Sequence, residues 1–290
     1  MIAHIADRLR RIEFLPTFPT IVGEVMDILS DPKSSASDLV RHMDPSLIGE
    51  VLKVANSVYF GRRNFRAIGA VEQAVAAIGY TGLSSIVLQM PFLSMVENMD
   101  TQFDRKGFMR HSLSCGILAK TVSSVFHLGN PHTVYVSGVL HDIGIIIIYQ
   151  YFKEELAQIT DLMEQGKLSR LAAERKVFSA DHAGIGSSLL EIWDIPQEIV
   201  ESVRLHHTPE EIGGKENPYV TWLANGLSKE IDFETDLTDF QAFFEKQREM
   251  LQREMPDRYL LKAHVELFET AHDQLKGINA FLEETSKEEP

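Results

Sequence analysis

Cysteine is almost missing from this chain. Cys115 is the only one in 290 residues, so no intrachain disulfide and no C-x-x-C metal or redox motif is available. Positive charge is also scarce. The 28 Lys and Arg face 42 Asp and Glu, a formal net charge of −14, which excludes the broad basic face that bulk nucleic-acid binding requires. Arg62, Arg63 and Arg66 are a local basic exception, and they read as a solvated turn rather than an anion pocket. Long apolar runs are lacking as well. The most apolar stretch, Val134 to Tyr149, is interrupted by Ser137, Gly138, His141, Asp142 and Gly144. It falls short of the roughly 18–20 apolar residues of a membrane span. The first residues, MIAHIADRLRRIEF, have no apolar core of a signal peptide. A buried core helix, no membrane and a cytoplasmic protein are the expectation.

Strict apolar–polar alternation is absent too, which removes the usual signature of half-buried strands. What recurs is apolar spacing at i, i+3, i+4 and i+7, so the chain reads as all-α. Ile2 to Ile12 has helical spacing, and Pro16 and Pro19 break it. Ser35 and Asp38 have capping-box spacing. A helix from Pro45 to about Ser57 follows, with Asn56 placed to end it. Helices from Val71 to Ile78 and from about Leu83 to Met95 complete an N-terminal helical lobe over residues 1–97. The polar stretch ENMDTQFDRK reads as a connection. A second helical lobe is expected over 98–230, with helices centred near 107–127, 131–150, 154–165, 168–176, 181–192, 196–206 and 217–229. Residues 231–290 form a charged C-terminal region with a helix from Pro256 to about Leu282. Trp193 and Trp222 read as core aromatics.

Chemistry concentrates in the second lobe. His141 and Asp142 lie inside the most apolar stretch, where a charge must be paired or bound to metal. His111, His182, His206 and His207 each fall on a helix or its end with apolar neighbours. No two histidines have the i, i+4 spacing of a zincin helix, so spacing alone says little. Six donors on several helices of one bundle can nevertheless meet in its core. Adjacent residues on a helix point about 100° apart, so His141 and Asp142 cannot face one ion from mid-helix. Gly144 would let the helix distort or end there. Asp142, with two oxygens, is then placed to bridge two ions. A His-rich set with one bridging carboxylate suits a divalent transition metal such as Fe, Mn, Zn or Ni better than Mg or Ca.

Leu140-His141-Asp142-Ile143-Gly144 resembles the signature of the HD-domain phosphohydrolases. The order His111, His141-Asp142, His182, His206-His207 is similar to their HD-GYP branch, which hydrolyses cyclic di-GMP. Leu15-Pro16-Thr17-Phe18-Pro19, Asp44-Pro45, Val54-Ala55-Asn56-Ser57 and Ala74-Val75-Ala76-Ala77-Ile78-Gly79 resemble, in order, segments of the HDOD family of bacterial signalling proteins. The likeness covers roughly residues 10–210 and implies a two-lobed helical HDOD/HD-like bundle.

Departures from the enzymes decide what it implies about function. Where HD-GYP enzymes carry Lys after the His-Asp-Ile-Gly segment, this chain has Ile145. Where they have Gly-Tyr-Pro, it reads Thr208 to Gly214, and their last aspartate ligand aligns with Asn225. The resemblance thus implies a regulatory protein that retains the metal ligands without efficient phosphodiesterase activity. It would act through signalling protein partners or a nucleotide-type ligand. The alternative is a metal-dependent phosphohydrolase acting on a nucleotide or a cyclic dinucleotide.

Overall fold

Helices begin where the sequence supplies caps. In the computed structural model Ser35 and Asp38 close the expected capping box. Asp38 N–H donates to Ser35 Oγ at 3.4 Å and Ser35 N–H to Asp38 Oδ2 at 2.9 Å. Asp104, Asn130, Ser169 and Asp181 cap four later helices in the same manner, each side chain accepting a first-turn N–H. The structure describes residues 2–12, 24–25, 28, 33–43, 45–59, 68–100, 102–166 and 168–230, and further on 267, 269–271 and 275. The proline break at 15–19, the Arg62, Arg63 and Arg66 turn and most of the C-terminal region lie outside them.

In chain order the helices are α1 (Ile2–Arg10), α2 (Ala36–His42), α3 (Pro45–Tyr59), α4 (Val71–Glu97), α5 (Arg105–Phe126) and α6 (Pro131–Leu140). They continue with α7 (Ile143–Tyr151), α8 (Lys153–Glu164), α9 (Arg170–Phe178), α10 (His182–Ile192), α11 (Gln197–Leu205) and α12 (Glu216–Glu230). Among the described residues there is no strand. The protein is all-α. Two stretches, Val71–Glu97 and Pro131–Tyr151, are apolar and long enough to cross a membrane by composition, but the apolar window of the second is 83% buried inside the fold. It is a core element, as its interrupted sequence implies.

The centre of the molecule is α6, which packs against α4, α5, α11 and α12. Glycines let it approach α5 closely. A Cβ on Gly138 would lie 2.7 Å from Gly116 Cα, and one on Gly116 would lie 2.9 Å from Tyr135 O. The two backbones therefore touch without intervening side chains. The α7 helix, rich in isoleucine, buries Ile143 through Ile148 between α8 and α10. The first helix does not stand apart, because α1 packs on α10. There Arg8 lies over the Phe152 and Phe178 rings, 4.7 and 5.3 Å from their centroids, and pairs with Glu155.

The expected helices Val71–Ile78 and Leu83–Met95 are the two halves of α4, parted by a kink at Gly79, where φ is 69° and ψ 175°. One local expectation changes. Asn56 does not end its helix, since α3 continues to Tyr59. Its amide instead spans the returning chain. Nδ2 donates to Leu52 O (2.8 Å) and Ile68 O (3.0 Å), while Oδ1 accepts from Ile68 N–H at 2.7 Å. Both Ile68 backbone groups are thus satisfied by a single side chain. Asn56→Ala is expected to lower stability by about 1–3 kcal/mol, because it leaves these groups without partners. Urea denaturation would measure this, and an unchanged midpoint would contradict the clamp.

Candidate metal centre

The helix α6 stops at Leu140 and α7 starts at Ile143, so His141 and Asp142 occupy the break between them. This breaks the angular constraint of a continuous helix, and both side chains face one spot. Gly144 has a different role from the one its sequence position suggests. It lies inside α7, and a Cβ there would come within 2.0 Å of His182 O and 2.8 Å of Gly186 N. The glycine permits contact with α10 rather than a bend.

All six expected donors converge. His111 comes from the second turn of α5, His182 from the first position of α10, and His206 and His207 from just past the end of α11. Asp142 stands between two groups. Its Oδ2 is 3.1 Å from His141 Nε2 and 3.5 Å from His111 Nε2, and those two nitrogens are 3.1 Å apart. Its Oδ1 is 3.0 Å from His182 Nε2 and 3.6 Å from His206 Nε2, with His207 Nε2 2.9 Å from His182 Nε2. Within each group the donor atoms lie within 4.8 Å of one another. A metal–ligand distance of 2.0–2.1 Å gives tetrahedral edges of about 3.3–3.4 Å, so both groups have the dimensions of a coordination shell.

The far side of each ring identifies what faces the carboxylate. His141 Nδ1 donates to Gly138 O at 2.7 Å and His206 Nδ1 to Val203 O at 2.6 Å. A neutral imidazole that donates from Nδ1 has a lone pair on Nε2. Those lone pairs face the Asp142 carboxylate, at 3.1 Å for His141 and 3.6 Å for His206, which is repulsive unless a cation lies between them. His206 Nε2 is buried with no hydrogen-bond partner, and so is Asn225 Oδ1. The residues fit a bound metal.

Electrostatics agree. Burial pushes the His141 ring down to about 4 against the pull of Asp142. Burial also lowers His206, and burial together with His206 and His182 lowers His207. Burial opposes charge on His182 too, but hydrogen bonds to Asp142 and Glu174 raise its ring to about 9. Asp142 stays well below the usual carboxylate range, because His141, His111 and His182 outweigh its burial. The proton on His182 occupies the place of a cation between two carboxylates, and metal uptake would displace it.

Two residues of the centre carry no sequence signal of their role. Glu174, fully buried on α9, accepts from His182 Nδ1 at 2.6 Å and from His182 N–H at 2.9 Å. Arg170 Nε holds its other oxygen at 2.8 Å. In sequence, Arg170 and Glu174 look like an ordinary i, i+4 surface pair. Ser228 on α12 lies 3.3 Å from His111 Nδ1 and donates to Asn225 O at 3.0 Å. Glu174→Gln keeps an acceptor but removes the charge that orients His182. We expect metal affinity to fall about 10–100-fold, measured by chelator competition, as for other outer carboxylates of metal-bound histidines. Unchanged affinity would remove Glu174 from the centre.

Ile145 is buried and its N–H donates to Asp142 O at 2.8 Å, so no side-chain cation stands at that position. Thr208 to Gly214 forms a single 3₁₀ turn, Pro209–Glu211, followed by two glycines at positive φ.

A helical bundle that gathers five histidines around one buried aspartate defines the class: an all-α domain with a metal-type His/Asp cluster. Within that class the chain belongs to the HDOD family, whose HDOD domain model matches residues 15–209. A relative from Treponema pallidum (strain Nichols), named only as an uncharacterized protein, is 24% identical over 240 residues. That match covers 80% of this chain but 45% of the relative, so the chain spans less than half the length of its curated relative. Among solved structures, an HDOD domain protein with unknown function from Geobacter sulfurreducens superposes with a TM-score of 0.76 at 20% identity, covering 97% of both chains. A provisionally named phosphohydrolase from Shewanella amazonensis SB2B gives 0.77 at 18% identity, again over 97% of each. A provisionally named metal-dependent phosphohydrolase from the same organism gives 0.62 at 18% identity. At these identities the likeness carries the fold.

Proposed function

We propose that this HDOD protein is a regulatory, signalling-type module built around a dinuclear divalent transition-metal centre, without efficient phosphodiesterase activity. The observation that carries the reading is the division of Asp142, whose two oxygens face two separate histidine groups. His111, His141 and Asp142 would hold one ion, and Asp142, His182, His206 and His207 the other. When bound, such ions supply Lewis-acid polarisation of an oxygen ligand. The chain itself orients the donors. Gly138 O and Val203 O fix the His141 and His206 rings, and Glu174 fixes His182.

The regulatory reading rests on what surrounds that centre. Charge developing on a phosphoryl group needs a fixed cation. The enzymes' lysine position is the buried Ile145, and their last acidic ligand is the neutral Asn225. Signalling protein partners or a nucleotide-type ligand fit this reading, and so does a cytoplasmic location. A metal-dependent phosphohydrolase acting on a nucleotide or cyclic dinucleotide is the second reading. The names of two structural neighbours and the shared carboxylate favour it.

Elemental analysis of the purified protein beside the His141→Ala, Asp142→Ala double variant tests the centre. Equal metal content in the two would sink it. Hydrolysis of cyclic di-GMP and of a generic phosphodiester then separates the readings. Turnover above that of the double variant would replace the regulatory reading with the enzymatic one.

A further inference from the structure

The helix α10 is walled in by α7, α11 and α1. From His182 to Leu190 every residue but Gly184 is buried. The helices α7 and α11 are its near neighbours in the chain, whereas α1 comes from the N-terminal end. An isolated helix shorter than about 12 residues is marginal in water, and α1 has nine. It is therefore helical when docked and has little to hold it when not. Its inward side chains include Ile5 and Leu9, four residues apart on one face and 2% and 0% exposed.

Arg8 adds a lock to this docking. Its guanidinium lies over both the Phe152 and Phe178 rings and pairs with Glu155. The two rings meet edge to face, 5.3 Å between centroids, and form one platform. A planar guanidinium stacks on such a platform, and a lysine ammonium replaces it poorly. The platform is joined to the donor set. Phe152 sits between α7 and α8, and Phe178 ends α9. One turn back on α9 is Glu174, and four residues past Phe178 is His182. Glu174 Oε2 accepts from His182 N–H at 2.9 Å and from His182 Nδ1 at 2.6 Å. Undocking α1 would open one side of α10 and lift the cation off the end of α9 together. Both partners of the Glu174–His182 contact would lose support.

Building on the regulatory reading, we propose that α1 is a releasable strap, locked by Arg8 on the Phe152–Phe178 platform, whose docking holds Glu174 against His182. Its undocking is the conformational step by which the N-terminal segment acts on the His/Asp cluster. Arg8 is thus a positioning residue, remote from the donors and felt by them through α9 and α10.

The test is amide hydrogen exchange of the full-length protein, read residue by residue by NMR. The His182 amide is a direct probe, because its hydrogen bond to Glu174 is the contact at issue. Arg8→Ala should speed exchange in α1 at least about tenfold and raise it at His182 as well, with α5 and α6 unchanged. Arg8→Lys should fall between Arg8→Ala and the wild type. Glu155→Gln leaves the guanidinium on its rings, so it should act in the same places but less, and it serves if Arg8→Ala does not fold. Unchanged exchange in α1 would overturn the proposal. An even rise across α5, α6 and α10 would do the same, because α1 would then open only with the whole core. So would a faster α1 beside an unchanged His182 amide. Turnover of cyclic di-GMP would end the regulatory reading but would not alter these exchange rates, so the two can fail separately.

Discussion

Asp142→Ala is expected to weaken metal binding more than about a hundredfold, since it deletes the only charged donor, the one common to both ligand groups. No other single side chain enters both groups, so no other single change is expected to empty the whole centre. The readout is the metal content of purified protein, together with the melting temperature before and after a chelator. A ligand that binds only the folded state at a hundred times its dissociation constant adds about 2.7 kcal/mol. For a domain of this size that is on the order of 5 °C in Tm. The wild type should therefore lose stability with chelator, while Asp142→Ala should not respond. An equal chelator effect on both proteins would contradict this.

Gly144→Ala should act on the fold and the centre together. The added Cβ would meet His182 O at 2.0 Å and Gly186 N at 2.8 Å, and these are backbone atoms that cannot rotate aside. Real Cβ atoms essentially never come closer than 3.0 Å, so α7 and α10 must separate by about 1 Å. Overpacking of this kind costs about 1–3 kcal/mol and occasionally more, and this contact belongs at the upper end. Because the displaced carbonyl belongs to His182, the group around Asp142 Oδ1 should also lose its metal affinity. Gly184→Ala on the same helix is the control. Its nearest neighbour would be Ala180 Cβ at 3.5 Å, so it should cost little or even stabilise α10. Denaturant midpoints and metal titrations of the two variants, side by side, separate a steric effect from a general intolerance of alanine.

Much of this was legible in the sequence. Apolar periodicity and caps place α5 and α8 through α12 within a few residues, because in this lobe local preference and packing agree, whereas the helix expected over 131–150 divides into α6 and α7 at His141 and Asp142. The six donors stand out since imidazole and carboxylate are conspicuous among Ile, Leu and Val. Less was legible where function depends on distant pairing. Glu174 looks like a helix-surface partner of Arg170, and only the fold brings it against His182, eight residues on. Asn56 has the local chemistry of a helix end, yet its bonds run to Ile68, twelve residues away. Gly144 reads as a flexible point because a sequence shows which side chain is missing but not what occupies the space. The division of the ligands around Asp142 depends on which oxygen each ring faces, a property of three-dimensional geometry alone.

Gly138 makes two contacts. Its missing side chain lets α6 lie on the α5 backbone at Gly116, and its carbonyl fixes the His141 ring. The same residue therefore serves the hydrophobic core and the donor set. Because that acceptor is a main-chain carbonyl, any shift of α6 on α5 at this crossing also moves the atom that aims His141. Helix spacing and ring orientation are therefore a single mechanical variable, and a substitution at this crossing, such as Gly116→Ala, would be felt at the donor set without touching it.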